Sequence, residues 1–170
     1  GRYLRLMRSG IAVCAIDLPG HGDRSDPELH GSNRVLDIVL QMRDELDHIT
    51  LGAIEALDVD ASRVAIGGMS AGGMAAIARL CRPHRFRGAI LLATTGDWAS
   101  LAARPNMDAP QQDDLDRLSP MSQLAHWRPI PVLAVHCQGD AWIPWAGQQR
   151  FLQAISALGP PGLVSVEQFE

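Results

Sequence analysis

Short, continuous apolar runs alternate along this chain with stretches whose apolar residues recur every three or four positions. The runs are Ile11–Ile16, Arg63–Ile66, Gly88–Ala93, Pro131–His136 and Leu163–Phe169. Turn residues close the first two, Asp17-Leu18-Pro19-Gly20 and Gly67-Gly68. Apolar runs of this length predict strands buried on both faces, as in a parallel sheet. Between them, Val35, Ile38, Val39, Met42, Leu46 and Ile49 form one helical stripe, with Asp44 and Glu45 on the wet side. A second helix is predicted over about 71–81, ended by Pro83, and a third over about 145–158, ended by Gly159-Pro160-Pro161-Gly162. Residues 1–9 read as the tail of a helix. Strands alternating with helices predict an α/β fold with an open, mostly parallel, doubly wound sheet.

Residues 94–129 break the rhythm. They hold Pro105, Pro110, Pro120 and the polar run Gln111-Gln112-Asp113-Asp114. This is too long for a plain crossover and reads as a cap inserted over the strand ends, or else as a surface loop. Trp98, Met107, Met121 and Trp127 either wall a pocket there or form the cap's own core.

The candidate chemistry lies at Gly68-Met69-Ser70-Ala71-Gly72. A buried run precedes this GxSxG pentapeptide and a small-residue helix follows it, the context of a nucleophile elbow. A tight strand-to-helix turn strains the serine backbone and pushes its hydroxyl out above the sheet. Glycine is expected at 68 and 72 because a side chain at either would collide with the neighbouring element. The free amides at the start of the helix then face the reaction centre, and the Ala71 N–H is the expected oxyanion donor. Gly73, Ala75 and Ala76 let the helix approach the sheet.

With these segments in view, the chain resembles the α/β-hydrolase superfamily. More narrowly it resembles small bacterial carboxylesterases related to the dienelactone-hydrolase and prolyl-oligopeptidase groups. The resemblance rests on Asp17–Arg24, the elbow at Ser70, and His136–Pro144, which come in the family's order. It implies a serine esterase acting on a small-molecule ester through an acyl-enzyme, with no cofactor. Asp140 would be the triad acid, in the loop after the fourth run, with Asp97 as the competitor. His21 would organise its turn or line the pocket, with Trp142 and Trp145 as further pocket candidates. The family's base is a histidine that follows the acid. The six here, His21, His30, His48, His84, His126 and His136, all precede Asp140. The expectation is therefore that this base, and the loop giving a second oxyanion amide, lie on parts of the fold outside residues 1–170. The rival reading is a degenerate hydrolase-like domain that binds a ligand or partner. Peptidase, thioesterase and lactonase chemistry need the same parts.

Composition narrows the picture modestly. With 46% hydrophobic and 20% charged residues and a formal net charge of −4, the chain has an ordinary globular make-up. Its mild acidity argues against nucleic acid or an anionic membrane as partner. Cys14, Cys81 and Cys137 form no metal or disulfide spacing and read as buried reduced thiols, which suits the cytoplasm.

Overall fold

The computed structural model describes residues 2–103 and 112–170. Met107, Pro105, Pro110 and Gln111 lie outside the described residues. The core is a four-stranded sheet of β1 (Ile66–Met69), β2 (Ala89–Leu92), β3 (Val132–Cys137) and β4 (Val164–Phe169). All ladders are parallel and the strands lie in chain order. Three of the five apolar runs therefore become neighbouring strands nearly as predicted; the second gives β1 only Ile66, because Ala61–Arg63 forms a single helical turn and the strand runs on through Gly67-Gly68, where a turn was expected. The helices are α1 (Arg2–Arg8), α2 (Val35–Leu57), α3 (Ala71–Leu80), α4 (Gln112–Leu118) and α5 (Trp145–Ser156).

The first run is the exception. Residues 11–16 take no regular structure and join no ladder among the described residues, and Ile11 and Ile16 are exposed. A cavity of about 850 Å³ separates this stretch from the outer edge of β1. Its walls include Ile11, Ile16, Leu46, Ile49, Val64 and Gly67. Propensity alone does not make a strand; a neighbour must supply the hydrogen bonds.

Burial also departs from expectation. One face of the sheet, carrying Ala89, Leu91, Val132 and Ala134, packs against Ile77 and Leu80 of α3 and Phe151, Leu152 and Ile155 of α5. The opposite face shows Ile90 and Leu133 to solvent. The strands are thus apolar on both faces but covered on one among the described residues.

α2 buries Ile38, Val39 and Met42 of the predicted stripe. It stops at Asp58, which adopts the left-handed conformation at φ 48°. α3 is buried from Gly73 to Leu80. Arg79 bridges the two helices, donating to Asp47 Oδ1 at 2.8 and 2.6 Å and to the Pro83 carbonyl at 2.9 Å. Arg24 reaches α2 with two 2.8 Å bonds to Glu45, and so pins the Asp17–Arg24 loop. That partner holds the Glu45 carboxyl below its ordinary range. All three cysteines are free, but only Cys81 is buried; Cys14 and Cys137 are exposed, contrary to expectation. Burial pushes the Cys81 thiol up to about 12. Among the described residues no helix is long and apolar enough to cross a membrane.

His84 yields a pH prediction. Burial, then the neighbouring Arg128 and Arg79, lower its pKa from the ordinary 6.5 to about 4. Between these values the unfolded chain takes up a proton that the folded chain refuses. Stability should therefore fall as pH drops from about 6.5 towards 4. Thermal melts across that window should show a shallower fall for His84→Gln.

Candidate active site

β1 runs directly into α3, and Ser70 is the junction. Its backbone sits at φ 52°, ψ −124°, a conformation that L-residues adopt at a cost of about 1–3 kcal/mol. Three hydrogen bonds hold it there. The Ser70 N–H donates to the Leu92 carbonyl at 3.0 Å, which ties the elbow to β2. The Ser70 carbonyl accepts from the Met74 N–H at 3.0 Å and from the Thr94 hydroxyl at 2.8 Å.

The two elbow glycines differ in their reasons. A Cβ at Gly68 would overlap the backbone of Gly72, so that position must be bare. A Cβ at Gly72 would meet nothing within 4 Å among the described residues, which corrects the expectation of a collision there. Gly73 is the second position under steric demand, because a Cβ would come within 2.6 Å of Thr94. Ala71 opens α3, and its N–H is among those a helix leaves without an internal partner.

Ser70 lines a cavity of about 130 Å³ together with His21, Val35, Ile38, Ala71, Met74 and Ile143. His21 places Nδ1 3.0 Å from the Pro19 carbonyl within its own turn, and it forms part of the cavity wall. Trp142 is 60% exposed and Trp145 packs partly against the core; neither lines this cavity. Trp98 and Trp127 are buried in the two core clusters, and Met121 packs partly against one of them.

The two carboxylates have separate settings. Asp140 follows β3, and its Oδ1 accepts from the Trp142 and Ile143 amides at 2.8 and 3.0 Å. Asp97 is buried and bound by Arg150 of α5, Nε at 2.7 Å and Nη2 at 2.6 Å, which gives it a partner inside the fold. The other histidines are occupied or distant in role. His30 meets the Gly20 carbonyl, His84 accepts from Arg128, His136 faces the Ile143 carbonyl, and His48 and His126 are exposed. Among the described residues no cluster of His, Cys, Asp and Glu could hold a metal ion.

Sequence reasoning missed Thr94, Met74, Ile38 and Ile143. Thr94 had a signal, a pair of threonines placed directly after an apolar run. The others are ordinary apolar residues, and only the fold brings them to Ser70.

A parallel sheet with this elbow between strand and helix defines an α/β-hydrolase fold. The prolyl oligopeptidase family model matches residues 3–168, and the chain belongs to that family. Solved structures agree on the fold. An acylaminoacyl peptidase from Pyrococcus horikoshii matches with TM-score 0.63 at 22% identity, over 76% of this chain and 22% of that one. The protein TT1662 from Thermus thermophilus gives 0.68 at 21% identity, over 91% and 66%. A puromycin-hydrolyzing peptidase from Mycobacterium tuberculosis gives 0.65 at 20%, over 76% and 21%. This chain thus spans about a fifth of the two peptidases. No curated protein matches it.

The elbow makes a direct prediction. Gly68→Ala should force β1 and α3 apart and displace Ser70. In the protein with its native flanking sequence, any hydrolase activity should then drop more than about 100-fold, whereas Gly72→Ala should lose less than about threefold. Parallel assays of both variants, with circular dichroism as the control for folding, would check this.

Proposed function

We propose that the chain carries the core of a serine hydrolase that cleaves short-chain or small aromatic carboxylic esters. The observation that carries this is Ser70, held at φ 52° between β1 and the first amides of α3. In this reading Ser70 Oγ attacks the ester carbonyl while a histidine takes its proton. The Ala71 N–H and a second amide steady the oxyanion. The alcohol leaves with that proton, and water, activated by the same base, frees the acyl group and restores the serine.

Asp140 is the proposed acid. Two backbone amides hold its Oδ1, and among the described residues no cation pairs with it as Arg150 pairs with Asp97. The base is proposed on chain that follows β4. The Gln138 N–H donates to the Phe169 carbonyl at 2.8 Å, so chain leaving β4 starts level with the loop that bears Asp140.

The cavity supports small acyl groups. It is lined mainly by aliphatic side chains, and about 130 Å³ is slightly less than the ~150 Å³ that accepts benzene in an engineered core. A second reading, hydrolysis of peptide or amide ends, is favoured by the family and by the peptidase names of two of the structural relatives.

In the protein with its native flanking sequence, Ser70→Ala should abolish fluorophosphonate labelling. It should also lower kcat/KM for p-nitrophenyl butyrate by at least about 10³-fold. Equal labelling of both proteins would sink the assignment. Turnover of aminoacyl p-nitroanilides exceeding that of the esters would select the amide reading.

A further inference from the structure

The loop bearing Asp140 is short, largely exposed and contains Gly139, so something must fix it. Ile143 is its most constrained residue. Its N–H donates to Asp140 Oδ1 at 3.0 Å, its side chain is 2% exposed and lines the Ser70 cavity, and its carbonyl meets His136 Nε2 at 2.8 Å. A carbonyl only accepts, so His136 Nε2 carries the hydrogen. His136 itself is buried, 2% exposed, and its ring centroid lies 5.3 Å from that of Trp145. Nδ1 has no hydrogen-bond partner among the described residues. The ring therefore spends its one hydrogen-bond donor on this contact.

His136 and Ile143 stand at the two ends of the loop. β3 holds one end and the start of α5 the other, and the Nε2–H bond closes the loop between them. We propose that His136 is a positioning residue, whose bond to the Ile143 carbonyl locks the amides that hold Asp140. Oδ1 is thereby fixed by Trp142 and Ile143, and Oδ2 is left to orient a base. The same lock sets the Ile143 side chain against the acyl cavity, so acid placement and pocket shape share one anchor. Leucine at 136 would keep the bulk and lose the donor. Glutamine would keep an amide N–H that can reach the same carbonyl.

The catalytic consequence rests on the Ser70 reading, while the clamp does not, and the experiment separates the two. Nitrogen-15 spectra of the protein should show His136 as the Nε2–H tautomer. Hydrogen exchange should show the Trp142 and Ile143 amides opening at least about tenfold faster in His136→Leu, the worth of about one buried hydrogen bond. Ester turnover by His136→Leu should lose about tenfold in kcat with KM within about threefold, and His136→Gln should restore most of it. In an Asp140→Asn background the leucine change should cost little more, because both act through one group. A bare Nε2, or unchanged exchange at Trp142 and Ile143, would overturn the clamp. Unchanged kcat in His136→Leu alongside a crippled Asp140→Asn would overturn its role in positioning the acid. Undiminished turnover by Ser70→Ala would sink the nucleophile reading and leave the tautomer and exchange arms to decide the clamp.

Discussion

The structure depends on how closely β1 and α3 approach where they join. The Cβ missing at Gly68 is replaced by the backbone of Gly72. That near-contact compresses the turn, and the compressed turn sets Ser70 at positive φ. A relaxed connection would restore an ordinary serine and aim its hydroxyl elsewhere. The strain is opposed by the burial of α3, whose residues from Gly73 to Leu80 are almost entirely withdrawn from water. Full burial of a side chain the size of Ile77 or Leu80 stabilises by about 1.5–3 kcal/mol, so two of them outweigh one strained residue.

Around this point the fold assembles its parts from distant stretches. Thr94 at the end of β2 caps the serine carbonyl, α2 brings Val35 and Ile38, and the loop after β3 brings Ile143. The arrangement follows from parallel strands, whose C-terminal ends all point to one edge of the sheet. Arg24 and Glu45 add a surface tie that keeps the His21 turn against α2.

Much of this was legible in the sequence. The elbow carries its meaning in five residues, because close approach forbids a side chain and the chain has few ways to satisfy that. Three strands were legible because each run found neighbours, and β1 was anticipated three residues early because its glycines read as a turn. The run at 11–16 looked the same on paper and failed, because pairing is a property of two segments and one segment cannot report it. The expectation of a steric role for Gly72 failed for a related reason: what a missing Cβ would strike depends on what stands opposite. Trp142 and Trp145 were natural pocket candidates by proximity to Asp140, but direction in space put Ile143 at Ser70 and turned Trp142 to solvent. Sequence alone allows Trp98 and Trp127 either a pocket or a core, and both lie in the core.

Among the described residues β1 forms a ladder with β2 alone, and the sheet shows one apolar face to solvent. A sheet edge beside exposed isoleucine and leucine is a template for further strands. A sheet left in this state becomes concentration-sensitive. At high concentration such an edge can recruit the same edge of another molecule.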